Sequence, residues 1–159
     1  MRAALNHIAI EVLAFAALLA PPPALACSLN LNAPGTLRAS SDNTVLGSEV
    51  NGTTPGTMTS ILSLLDGTAT IDVAAPTRTQ SPAGYNAAAE TLQVAYNATA
   101  VLGLFPGASQ TYTGTTTSFH ATGVLAGLTF TITLNNRILN PNGFAPGTYT
   151  TRTVVTCHP

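Results

Sequence analysis

Leu128-Thr129-Phe130-Thr131-Ile132-Thr133-Leu134 places an apolar residue at every even position and a threonine at every odd one. Side chains alternate between two faces along a β-strand, whereas a helix needs apolar residues three and four apart to form one stripe. Seven residues of strict period two therefore read as a strand with one buried and one solvated face. The rhythm recurs from Glu90 to Thr99, with Leu92, Val94, Tyr96 and Ala98 on one side and Thr91, Gln93, Ala95 and Asn97 on the other.

Between Ser60 and Val73 the pattern predicts a hairpin. Ile61-Leu62-Ser63-Leu64-Leu65 leads into Asp66-Gly67, and Thr68 to Val73 returns with Ala69, Ile71 and Val73 on one face. Asp-Gly between two such runs favours a type I′ turn, whose twist matches the flanking strands. Further strands are expected over 28–32, 44–50, 110–120 and 148–157. They are separated by turn sequences such as Ala33-Pro34-Gly35, Thr54-Pro55-Gly56, Phe105-Pro106-Gly107 and Ala145-Pro146-Gly147. No window has helical periodicity beyond a single turn at Ala87-Ala88-Ala89-Glu90. About eight short strands with frequent Gly/Pro turns predict an all-β fold, an antiparallel immunoglobulin-like sandwich.

Composition agrees with sheet. The branched Cβ of threonine suits a pleated, half-buried surface, and the chain has 26 threonines and no lysine. Its formal net charge is −1. Nucleic-acid binding rests on clustered Lys and Arg, which are missing here, so that partner class is excluded. Docking on anionic lipid is excluded for the same reason.

Residues 1–26 read as a cleavable signal peptide. Arg2 supplies a charged start, Val12 to Ala20 is an uninterrupted apolar run, Pro21-Pro22-Pro23 ends it, and Ala24-Leu25-Ala26 offers small residues at the cleavage site. Nine apolar residues are too few to span a bilayer, which takes about 20. The domain expected after cleavage is 27–159, in a secreted, periplasmic or cell-surface location with no membrane span. Cys27 and Cys157 lie at its two ends. In an oxidising compartment paired cysteines persist as disulfides, so these two are expected to be joined. Lipidation of Cys27 is the competing fate. It is disfavoured because a lipobox places Leu three residues before the cysteine and a small residue two before, and here Ala24 and Leu25 hold those places.

Phe144-Ala145-Pro146-Gly147-Thr148-Tyr149 followed by the Thr/Val run Thr150 to Thr156 resembles the closing strand of spore coat U-like, archaic chaperone–usher pilin-type domains. The resemblance covers about 20 residues. It implies an immunoglobulin-like sandwich assembled into surface fibres, with self-association or other surface subunits as partners. Those domains usually carry a donor segment ahead of the first cysteine and pair their cysteines early in the domain. This sequence departs from both habits, so the resemblance implies the sandwich more than donor-strand exchange.

Catalytic chemistry finds little support. Once a leader carrying His7 is removed, His120 and His158 are the remaining histidines, and no His-Glu-x-x-His, Cys-x-x-Cys or Gly-x-Ser-x-Gly pattern occurs. Ser118 and His120 share a strand face, with Asp42 or Asp72 as a conceivable third member. The carboxylates have no metal-ligand spacing, although Asp66, or Asp42 with Asn43, could hold Ca²⁺ weakly at a loop. No cofactor is expected. Asn51-Gly52-Thr53 and Asn97-Ala98-Thr99 match glycosylation acceptors but also read as a turn and a strand residue. Of four tyrosines, Tyr96 and Tyr149 have core parity, and Tyr112 in a Thr-rich run is the candidate for an exposed ligand contact. The expectation is a non-enzymatic structural or adhesive surface protein, such as a pilus-type subunit. A carbohydrate- or peptide-binding module is the second reading.

Overall fold

The Thr-alternating stretch lies in the longest strand of the protein, and the sheets are organised around it. A computed structural model describes residues 27–62, 68–100, 106–122 and 127–158, so the expected signal peptide and the Asp66-Gly67 turn lie outside the described residues. Twelve strands are present among them: β1 (Cys27–Ala33), β2 (Arg38–Ala39), β3 (Val45–Gly47), β4 (Gly56–Leu62), β5 (Thr68–Val73), β6 (Thr77–Gln80), β7 (Thr91–Ala100), β8 (Ala108–Thr113), β9 (Thr117–Thr122), β10 (Leu128–Leu139), β11 (Thr150–Arg152) and β12 (Val155–His158). No helix occurs among the described residues. The fold is all-β, and every pairing is antiparallel.

β10 is the centre of the first sheet. Along one side it pairs with β7 from Phe130 to Leu139. Along the other its first half pairs with β4 and its second half with β3. β1 extends this sheet beyond β4, β8 beyond β7, and β2 beyond β3. The second sheet runs β12-β5-β9 and the third pairs β11 with β6. These two follow one another along the same stretches of chain, since β5 precedes β6 and β11 precedes β12. Ala74 N–H donates to the Val154 carbonyl at 2.9 Å across the break between them. Pro76, which has no amide hydrogen to give a ladder, sits in that break.

Alternation builds the core. The inward row of β10 is Leu128, Phe130, Ile132 and Leu134. It packs with Val94, Tyr96 and Ala98 of β7, Leu62 of β4 and Cys27 of β1, against Ala69, Ile71 and Val73 of β5 and Phe119 and Ala121 of β9. One cluster thus takes side chains from both the first and the second sheet. A smaller cluster at the far end of β10 gathers Leu46, Ile138 and Phe144, with Leu37, Tyr85, Leu92 and Tyr149 against it.

Four expectations are corrected. The strands number twelve in three sheets, not about eight. The run 60–73 is not a hairpin: β4 lies between β1 and β10, and β5 lies between β12 and β9, so both sides of each are taken by other strands. The run 110–120 is two strands broken at 114–116, β8 on the first sheet and β9 on the second. The run 148–157 is likewise β11 and β12, parted at Thr153-Val154. Ala87–Glu90 forms one turn, closed by Glu90 N–H to the Ala87 carbonyl.

Candidate functional site

Cys27 and Cys157 form a disulfide with Cα atoms 6.2 Å apart. β1 ends the first sheet and β12 ends the second. The bond therefore joins an edge strand of the first sheet to an edge strand of the second. At their other edges the chain itself links the two sheets, passing from β8 to β9 through Gly114-Thr115-Thr116.

Beyond the clasp, the side fastened by the disulfide opens into a cleft of about 540 Å³. Its origin lies in the inward row of β10. After Leu134 the next inward position is Asn136, which interrupts the apolar row between the two core clusters. Asn136 Nδ2 donates to Thr151 Oγ1 at 3.1 Å, and Thr153 Oγ1 donates to Asn136 Oδ1 at 2.8 Å, so β11 and the residue after it are held over this point by polar contacts. Buried Ser48 braces the same residue, its hydroxyl taking Asn136 N–H at 3.0 Å. Leu31, at the end of β1, overhangs the cleft and is 66% exposed. Leu37, Leu134 and Tyr149 supply further apolar wall, and Arg152 stands at the rim.

Tyr149 belongs to a rigid corner. Its hydroxyl donates to the Ala145 carbonyl at 2.9 Å, four residues back across Pro146-Gly147. Gly147 has φ +146, and a Cβ there would lie 2.7 Å from Pro82 Cβ, so this approach of chain to chain requires glycine. The Tyr149 ring meets Tyr85 and Phe144 edge-on at 5.1 and 5.4 Å. Tyr85 is tied in turn by its hydroxyl to Glu90 at 2.8 Å. Burial, and then that bond to a carboxylate, push the Tyr85 hydroxyl up to about 12. Arg78 completes the group, with its Nε on both Glu90 oxygens at 3.0 and 3.1 Å.

The residues singled out in the sequence are distributed elsewhere. Tyr112 is half-buried on β8, and Arg137 lies over its ring with Cζ 3.8 Å from the centroid. Burial foremost, and the neighbouring Glu49 carboxylate second, raise its hydroxyl above the ordinary tyrosine value. One face of the ring is thus occupied from within the molecule. Of the conceivable trio, Ser118 and Asp72 come together on the outer face of the second sheet, and the histidine bonded to that carboxylate is His158 rather than His120. Ser118 Oγ donates to Asp72 Oδ1 at 2.6 Å, and His158 Nε2 lies 3.0 Å from Asp72 Oδ2. The order is wrong for nucleophilic catalysis, because the carboxylate sits between serine and histidine where the base should be. His120 Nδ1 lies 3.3 Å from Thr70 Oγ1. Asp42 is used by its own turn, accepting from Ser40 and Thr44, and these hydroxyl bonds hold its carboxyl below the usual range. Among the described residues no group of three or more His, Cys, Asp or Glu could hold a metal ion. Asn51 and Asn97 are both exposed.

No protein-family model, curated protein or solved structure matches this chain. The cleft was not legible in the sequence. Its one local signal is the polar Asn136 at an inward position of an otherwise apolar row.

Proposed function

We propose that this is an exported immunoglobulin-like β-sandwich that serves as a structural or adhesive unit at the cell surface, of the pilus-subunit kind. The observation that carries this reading is the disulfide, which joins residues 130 positions apart and fastens the edge strands of two sheets to each other. Such a clasp suits an oxidising compartment and a domain exposed to proteases and tension. The sandwich reading treats β5 with β6, and β11 with β12, as two interrupted strands of one layer facing the first sheet. A tyrosine hydroxyl returning to the backbone across a Pro-Gly corner, as in Tyr149 to Ala145, recurs in sandwiches of this architecture and supports it. Along the first half of β10 the outer face presents Thr129, Thr131 and Thr133, an uncharged polar stretch. That surface, and the side-chain order at Ser118, support a non-enzymatic role.

The test is expression of the full chain in a bacterial host with an oxidising periplasm, followed by fractionation, N-terminal sequencing and electron microscopy. The expected product is an extracytoplasmic protein beginning at Cys27, with no free thiol, that forms ordered polymers at high concentration. Retention in the cytosol with residues 1–26 intact would overturn the export reading. A strictly monomeric exported protein with saturable glycan binding would replace the structural role by a binding module.

A further inference from the structure

Most polar side chains of the cleft beside β11 are already engaged within the protein. Thr36 Oγ1 is shared with Thr54 Oγ1 at 3.2 Å and takes Thr54 N–H at 2.9 Å. Ser48 is bonded to Asn135 and Asn136, and Asn136 to Thr151 and Thr153. Thr150 donates to Gln80 at 3.1 Å, and Tyr149 to Ala145. Arg152 is the exception. It is the one charged residue lining the cleft, and among the described residues no carboxylate lies within ion-pair reach of its guanidinium.

These contacts discriminate between ligand classes. A sugar needs many convergent donors and acceptors, and most of the side-chain donors here are already committed to partners within the protein, although the Thr151 hydroxyl only accepts and keeps its proton. An apolar chain needs only apolar wall, which Leu31, Leu37, Leu134 and Tyr149 provide. A volume of about 540 Å³ lies within the range of small-molecule sites, roughly 300–1,000 Å³. The guanidinium, which has no carboxylate in ion-pair reach among the described residues, adds one demand, a single anionic group. The planar fork of arginine matches a carboxylate through two parallel N–H···O bonds. A phosphate, with more charge and more oxygens, would call for several further donors, more than the single Thr151 hydroxyl proton offers.

We propose that the cleft binds a medium-chain aliphatic carboxylate, with its tail against Leu31, Leu37 and Leu134 and its head on Arg152. The proposal does not depend on the pilus-type reading, since a surface subunit and a free binding module could each carry such a site. The experiment is fluorescence titration of the disulfide-bonded exported protein with 11-(dansylamino)undecanoate, followed by competition with decanoate and with decanol. The expected result is one-site saturation, displacement by decanoate, and much weaker displacement by decanol at equal concentration. Arg152→Gln should weaken binding about tenfold, the loss expected for a charge-assisted hydrogen bond. Leu31→Ser should weaken it several-fold, and Arg38→Gln, which changes an arginine outside the cleft, should leave it unchanged. Arg152 and Leu31 are both exposed, so neither variant threatens folding. Non-saturating uptake, equal competition by decanol, or unchanged binding in Arg152→Gln would each overturn the proposal. So would an extended apolar peptide that displaces the probe when decanoate does not.

Discussion

Removing the Cys27–Cys157 bond, by Cys27→Ala with Cys157→Ala or by a reductant, tests whether the clasp holds the two sheets together or only secures a loose end. The bridge closes a loop over a sequence separation of 130. The chain-entropy relation gives about 5 kcal/mol at 25 °C for a loop of that size. The packing around it argues for nearly the full effect. Cys27 is buried in the main cluster, paired opposite Leu62, and Cys157 is paired opposite Ile71, which is fully buried. β1 and β12 each have a ladder on one side alone, with β4 and β5, so outside the core the bond is their principal lateral tie. An unfolding entropy of about 0.3 kcal/mol per degree for a domain of this size converts the loss into a fall in Tm of roughly 15–20 °C. Urea denaturation followed by far-ultraviolet circular dichroism, with and without reductant, measures the change directly. A slightly steeper urea dependence should accompany it, because the uncrosslinked chain exposes more surface when unfolded. A loss below about 1 kcal/mol in both the reduced protein and the double variant would refute the reasoning. It would mean that β1 or β12 already frays in the native state and that the loop is not closed by structure.

Tyr149→Phe removes the hydroxyl that reaches Ala145 and should cost about 1 kcal/mol, read as a fall of a few degrees in Tm; an unchanged Tm would mean the corner is held by ring packing alone. Ser60 is fully buried on β4 and its hydroxyl has no partner among the described residues, so Ser60→Ala should leave urea stability unchanged or raise it by up to about 1 kcal/mol, and a loss beyond that would contradict the assignment. The Ser118 hydroxyl first, and the His158 ring second, hold the Asp72 carboxyl below its ordinary value of 3.8, and Asp42 is lowered likewise by Ser40 and Thr44. Since the unfolded chain binds these protons more readily, their contribution is present above about pH 4 and is lost as pH falls through the lowered native values. The urea midpoint should therefore decline below pH 4. Ser118→Ala should flatten part of that decline, and an acid limb unaltered in this variant would rule out Asp72 as a source.

How much of this was readable in advance follows from the range over which each feature is encoded. The Thr-alternating run and its counterpart in β7 needed nothing but their own residues, because side-chain alternation is a property of a single extended strand. The sheet class and the threonine-decorated outer face follow from that. The disulfide was legible for a different reason. Two cysteines at the ends of a domain allow one intramolecular pairing, and the cysteine count together with the expectation of an oxidising compartment pointed to it. Asp66-Gly67 misled, since a local turn preference cannot tell whether the strands on either side remain partners or part to separate sheets.

Partnership is decided by which apolar faces can cover one another at long range. β4 is needed between β1 and β10, and β5 carries Ile71 and Val73 into the opposite face of the core. The same long-range demand broke 110–120 and 148–157 into pairs of strands, and it gave Tyr112 a covering Arg137 from a different strand. The cleft is the furthest from the sequence of all. It exists because Asn136, an inward residue at a position where the apolar row fails, meets Thr151 and Thr153 from the far end of the chain, and that meeting engages their hydroxyls while Arg152 has no carboxylate in ion-pair reach among the described residues. A residue's own identity states what bonds it can make; only packed neighbours decide which of those bonds are already taken.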